Sequence, residues 1–284
     1  MLQRALGTLL VMSAFVAQAD ASMPVQGPNL NDLMQARNIA MGGAYESLGY
    51  GAEVISGNPA GLSLYKRYQI EANGAWDVPS GYATGGVSLA DSSSSALAMG
   101  IAYNFVTYGG FERRWAHLTT VAFALAIADW LHIGLSGRHQ VITGATNTNS
   151  ITMTAGVILK PWQWLSIGFS GHNLIPNYTQ DITRFFVASI SSLIFNQLSP
   201  VFDLKMDFNL GTPRLAYLAG VEWLIAQSFP VRLGYQYDNI GNHQYLSAGA
   251  GWFVEGSGFD LSYRHELGGA EGRLIALTVK IQMN

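Results

Sequence analysis

Along residues 68–76, Tyr68, Ile70, Ala72, Gly74 and Trp76 alternate with Gln69, Glu71, Asn73 and Ala75. A two-residue period puts the first set on one face of an extended strand and the second set on the other. The pattern recurs to the end of the chain in stretches of about ten to fourteen residues, each closed by turn residues, and it predicts fourteen strands across residues 65–284. The eighth stretch, 182–195, alternates poorly: "TRFFVASISSLIF" also reads as an amphipathic helix.

Strands of this kind make an all-β fold, a transmembrane antiparallel β-barrel. An even strand count returns both ends of the barrel to one rim, the rim that carries the even-numbered turns. Trp130, Trp162, Trp164, Trp223 and Trp252 fall beside even turns, leaving Trp76 and Trp115 beside odd ones. Tryptophan favours the membrane interface, so the distribution predicts a periplasmic aromatic girdle.

Alternation also assigns a lumen. In "VFDLKMDF" (201–208), Phe202, Leu204, Met206 and Phe208 would meet lipid while Asp203, Lys205 and Asp207 point inward. "FDLSYRHE" sets Asp260, Ser262, Arg264 and Glu266 inside, and "VRLGYQYD" adds Arg232, Gln236 and Asp238, with Glu222 from the preceding strand. Unpaired charge in a confined lumen is costly. The expectation is therefore one internal polar network of Asp203, Lys205, Asp207, Glu222, Arg232, Asp260 and Arg264. The first strands present small inward residues instead: Ala96, Ala98, Gly100 and Ala102, with Gly85 and Gly86 before them. Gly85-Gly86 reads as a kink in the wall. A barrel of this size encloses more than its own side chains fill, which predicts a plug formed by residues 22–64.

Composition narrows the class. Of 284 residues, 49% are hydrophobic and only 12% charged, half the charge of an average soluble domain. The longest apolar run, "TTVAFALAIADWLHIGL", is interrupted by Asp129, so helical membrane spans are not indicated. At the N-terminus, Arg4 precedes an apolar stretch and small residues up to Ala21, the pattern of a signal peptide over residues 1–21. Export to the bacterial outer membrane, with lipid as surroundings, follows. The net charge of −3 offers no basic face to nucleic acid, and the absence of cysteine excludes disulfides and thiolate chemistry.

Catalytic chemistry is not signalled. His117, His132, His139, His172, His243 and His265 sit in no nucleophile motif. Asp203, Asp207 and Asp260 could gather a cation, but Lys205 and Arg264 among them compensate the charge without one. Gly42-Gly43 lacks the context of a phosphate loop. The chain reads as a non-enzyme with no cofactor.

One stretch carries a resemblance. "ARNIAMGGAYESLGYGAEVISGNPAGL" (36–62) resembles the N-terminal region of FadL-like and PorV/PorQ-like outer-membrane proteins, in Met41-Gly42-Gly43-Ala44 and, further on, Asn58-Pro59-Ala60-Gly61-Leu62. The resemblance implies a fourteen-stranded barrel whose lumen holds an N-terminal hatch. Asn58-Pro59-Ala60-Gly61 would then end the hatch at the periplasmic rim, with Asn58 capping local amides and Gly61 supplying backbone freedom, a positive φ included. Two features depart from the family: the outer turns, such as "DVPS" and "GGAEG", are short, and the chain ends in Met283-Asn284 rather than an aromatic residue.

Two functions fit. In the first, the barrel is an interaction or anchoring component of a larger envelope assembly, of the secretion or surface-motility type, with envelope proteins as partners. In the second, it is a FadL-like channel for small hydrophobic ligands, opening through the wall near Gly85-Gly86. Short outer turns favour the first.

Overall fold

Fourteen antiparallel strands pair each with the next, and the first pairs with the last. A computed structural model describes residues 35–108, 114–144, 147–175, 183–207, 214–239, 243–268 and 272–283. The expected signal peptide, the first part of the expected plug (22–34) and Phe208 lie outside the described residues. The strands are β1 (Tyr68–Asp77), β2 (Tyr82–Asp91), β3 (Leu97–Tyr108), β4 (Arg114–Ala128), β5 (Leu131–Thr143), β6 (Thr148–Trp162) and β7 (Leu165–His172). They continue as β8 (Phe185–Ser192), β9 (Leu198–Asp207), β10 (Arg214–Ile225), β11 (Phe229–Asp238), β12 (His243–Val254), β13 (Ser257–Leu267) and β14 (Arg273–Met283). Closure leaves no sheet edge, so the wall's backbone groups are paired where lipid could not satisfy them.

Alternation decides which side chains face out. On β3, Met99, Ile101, Tyr103 and Phe105 are exposed, while Ala98, Gly100, Ala102 and Asn104 turn inward. On β14, Ile275, Leu277, Val279 and Ile281 face out and Leu274, Ala276, Thr278 and Lys280 face in. The outer surface is thus a continuous apolar belt suited to a bilayer. Trp130, Trp162, Trp164, Trp223 and Trp252 are exposed near the rim where β1 begins, with Trp162 and Trp164 stacked 5.6 Å apart. Trp76 and Trp115 are exposed near the other rim.

The ambiguous eighth stretch is a strand. Phe185, Val187, Ser189 and Ser191 face inward while Phe186 and Ile190 face out, and the segment pairs with both β7 and β9. Its inward face is half apolar, which blurs the alternation without removing it. Three other expectations are corrected. Gly85-Gly86 does not kink the wall, because β2 pairs residue for residue through both glycines with β1 and with β3. Gly86 instead makes room for the inward amide of Asn104: an added β-carbon would lie 3.0 Å from that side chain's Cγ. Gly85 belongs to the outward set, and Ala96 is exposed ahead of β3 rather than inward on it.

Residues 35–64 lie inside the barrel. A short helix α1 (Ala36–Ala40) packs against β11–β14, and two tight turns follow, Gly51–Val54 and Pro59–Ser63. The second turn packs against β3–β6, so the segment crosses the lumen from one wall to the other. A five-residue helix has little intrinsic stability. The wall supplies its missing cap, since Thr278 Oγ1 accepts from the Ala36 amide at 2.9 Å.

Candidate functional site

The turn at Asn58-Pro59-Ala60-Gly61 shows how the inner segment is held. Asn58 Oδ1 accepts from the Ala60 amide at 3.1 Å, capping the Pro59–Ser63 turn, and Pro59 occupies the first position, where no donor is needed. The Asn58 Nδ2 group donates to Glu46 O at 3.1 Å and to Val157 O of β6 at 3.3 Å. One side chain thus caps the turn, braces the inner segment and ties it to the wall. Gly61 does not adopt a positive φ, contrary to the expectation. It is needed because a β-carbon there would lie 2.6 Å from Gly49 O.

The other motif meets the wall directly. Met41 and Ala44 are fully buried, and Gly42 and Gly43 take φ values of 67° and 80°, a region that favours glycine. A β-carbon on Gly42 would lie 2.7 Å from Tyr235 N, and one on the facing wall residue Gly234 would lie 2.7 Å from Gly42 Cα. The same close seating recurs at Gly134, 2.8 Å from Ala60 Cα, and at Gly220, 2.5 Å from Met41 O. On the β3–β4 side, Ile55 and Leu62 fill the space over Ala98, Gly100, Ala102, Ala122 and Ala124. Small inward wall residues therefore form the seat of the inner segment.

Opposite this apolar seat lies a row of buried charges. The Arg37 guanidinium grips Glu222 of β10 with two hydrogen bonds of 2.8 Å and also pairs with Glu53 of its own segment. Arg232 bonds Glu222 at 2.5 Å and Asp260 at 2.5 Å, and Lys280 reaches Asp260 at 2.9 Å and Glu71 at 4.0 Å. Burial alone would lower the Arg37 guanidinium, but Glu222 and Glu53 hold it well above its ordinary value, so it stays charged.

The expected single network is divided. Glu222, Arg232 and Asp260 belong to the row just described. Asp203 instead accepts from the Tyr45 and Glu46 amides at 2.9 and 3.0 Å and from Ser189 Oγ, anchoring the inner segment to β8 and β9. Lys205 stands 4.3 Å over the Phe185 ring and Arg264 stands 4.9 Å over Tyr245. Asp207 is buried at the far end of β9. The cause of the division is the inner segment, whose backbone amides and Arg37 take partners that the wall residues would otherwise share. Strand alternation shows Glu222, Arg232 and Asp260 of this row; Glu71 and Lys280 of the wall and Arg37 and Glu53 of the inner segment stand outside the expected network. Burial, with the nearby Glu46 and Asp203 carboxylates, pushes the Tyr45 phenol well above its ordinary value, so it stays neutral.

Beyond the inner segment, toward the rim where β1 ends, the lumen turns apolar. Ala75, Tyr82, Val106, Ala116, Leu118, Ile142, Leu274 and Ala276 pack together from β1–β5 and β14, against Ala36 and Ile39 of α1. This apolar patch faces inward, where the alternation suggested only small or polar residues.

Ser170 and His172 do not have the geometry of a catalytic relay. His172 Nε2 lies 2.9 Å from Ser170 Oγ, and Glu46 approaches that same nitrogen at 3.3 Å instead of orienting the opposite one. His132 Nδ1 bonds Ser63 Oγ at 2.9 Å, closing the turn that starts at Asn58.

Solved structures share this architecture. CymD, a monoaromatic hydrocarbon channel, superposes with a TM-score of 0.72 at 12% identity, covering 88% of this chain and 97% of that one. The Ralstonia pickettii toluene transporter TbuX gives 0.67 at 12% identity, and a Pseudomonas aeruginosa FadL homologue gives 0.64 at 11%, each over 88% of this chain and 97% of the other. The likeness is one of fold, and it is the FadL-like fold that the paired motif implied. No protein-family model and no curated protein matches the chain.

Proposed function

We propose that this chain is an outer-membrane channel for small hydrophobic molecules, with residues 35–64 as its hatch. The observation that carries this reading is the inward apolar cluster from Tyr82 and Val106 to Leu118 and Leu274, set directly against the hatch. A pore for polar solutes has a polar, water-filled interior. An apolar lining favours a hydrocarbon by roughly 25 cal/mol for each Å² of solute surface removed from water. The structural neighbours named as a monoaromatic hydrocarbon channel and a toluene transporter support the same substrate class.

The reading as an anchoring component rested on short outer turns. A channel needs no long outer loops if its own lumen wall gathers the substrate, so turn length loses its weight. Passage requires the hatch to move, because its residues fill the mid-lumen. The test is uptake of a radiolabelled monoaromatic hydrocarbon into cells carrying the full chain. Uptake above that of empty-vector cells supports the channel; unchanged uptake, with stable co-purification of envelope proteins, would restore the anchoring role.

A further inference from the structure

The buried charges form one alternating row: Glu53, Arg37, Glu222, Arg232, Asp260, Lys280 and Glu71. Each interior member has an opposite charge on both sides, and both ends are carboxylates. Four acids face three bases, so the fully ionised row carries one uncompensated negative charge away from bulk water. The imbalance falls at Glu71, whose one base among the described residues, Lys280, is 4.0 Å away and is shared with Asp260 at 2.9 Å.

A second observation falls on the same residue. Gln69 Nε2 donates to Glu71 Oε1 at 2.6 Å, yet Glu71 Oε2 and Gln69 Oε1 have no hydrogen-bond partner, and both residues are 1% exposed. Two orphaned acceptors beside a surplus negative charge fit a carboxyl that carries a proton.

We propose that Glu71 is a proton-binding site, and that its proton balances the row and keeps the hatch seated. The added proton forms an O–H bond on Oε2, turning an unpaired acceptor into a donor and leaving three negative and three positive members in the row. The charges facing Glu71 are Lys280 on β14, Asp260 on β13 and Glu53 on the hatch, with Tyr50 beside Glu53; Ser88, opposite it on β2, does not titrate. Arg67 stacks on Tyr50 at 4.5 Å and donates to Gln282 at 2.7 Å, so it is a charged neighbour of Tyr50 near the rim rather than a partner of Glu71. When the proton leaves for bulk water, Glu71 and Glu53 become like charges across the hatch–wall seam. A carboxyl that is protonated with the hatch seated and ionised with it released stabilises seating at low pH and loses that stabilisation as pH rises.

The latch rests on the hatch reading, but the proton site can be read without any transport. Infrared difference spectra of the full chain in lipid vesicles, taken between about pH 6 and about pH 9, report protonated carboxyls directly. The expected result is a protonated-carboxyl band, lost on alkalinisation, that the parent shows in excess of Glu71→Gln. In the same vesicles, proteolysis of residues 35–64 should rise several-fold with pH in the parent and stay flat in Glu71→Gln. Parent and Glu71→Gln spectra that do not differ in the protonated-carboxyl region overturn the proton site. So does hatch protection that follows sodium concentration at constant pH. Proteolysis independent of pH overturns the latch. Hydrocarbon uptake measured alongside reports on the channel reading alone.

Discussion

Gly42 of the hatch and Gly234 of β11 lie backbone against backbone, so close that a β-carbon on Gly234 would come within 2.7 Å of Gly42 Cα. Neither neighbour can yield by rotating a side chain, since the atoms in the way are main chain. Gly234→Leu should therefore unseat the hatch while leaving the β11 ladder intact. The variant is expected to keep heat-resistant migration on denaturing gels, while residues 35–64 become protease-sensitive and small polar dyes enter cells faster. Unchanged protection would mean that the wall, not the hatch, gives way.

Arg37 ties the hatch to β10 through two hydrogen bonds to Glu222. Arg37→Leu leaves the half-buried Glu222 and the buried Glu53 with one partner fewer, a change that costs up to about 3–5 kcal/mol at fully buried pairs. Chemical unfolding in lipid vesicles should show a loss of that order. The double change Arg37→Leu with Glu222→Leu should recover part of it, because Glu222 then no longer needs a cation.

Asn58 separates capping from tethering. Asn58→Ala removes both and should cost about 1 kcal/mol for the cap alone. Asn58→Asp keeps the acceptor for the Ala60 amide but loses the donor to Glu46 O and Val157 O. If the tether holds the hatch, the Asp variant should remain nearly as protease-sensitive as the Ala variant, whereas parent-like protection would assign Asn58 to the cap only.

The wall was more legible in the sequence than its contents. Period-two alternation on β3, β9, β11 and β13 marks both faces, because each strand is bounded by lipid outside and polar or small groups inside. On β8, Phe185 and Val187 face inward under Lys205, and the pattern weakens there. The hatch has no periodicity, since it is surrounded on every side and buries Arg37 and Glu53 as fully as Ile39 and Leu62. Its ion pairs span long sequence separations that one chain read alone does not reveal. A usable signal was present in Gly134, Gly220 and Gly234, lone glycines at inward strand positions, which mark a close backbone approach.

The apolar lumen patch sets substrate preference in this account. Val106→Thr keeps the shape of a fully buried side chain but adds a hydroxyl among Ala116, Leu118 and Ile142. Uptake of a monoaromatic hydrocarbon should fall several-fold, while leakage of a polar dye stays at the parent level. Equal uptake would show that substrate does not pass this patch.

The central claim is that hydrocarbon passes only when the hatch leaves its seat. Ser47 Oγ of the hatch lies 2.7 Å from Ser189 Oγ of β8, and the chain contains no cysteine, so Ser47→Cys with Ser189→Cys supplies a single disulfide across the seam. Serine oxygens at that separation place the two β-carbons near disulfide geometry. The decisive measurement is hydrocarbon uptake by this double variant, oxidised and then reduced in the same cells. The account predicts uptake lost when the disulfide is closed and restored on reduction; equal uptake in both states, with cross-linking complete, would contradict it.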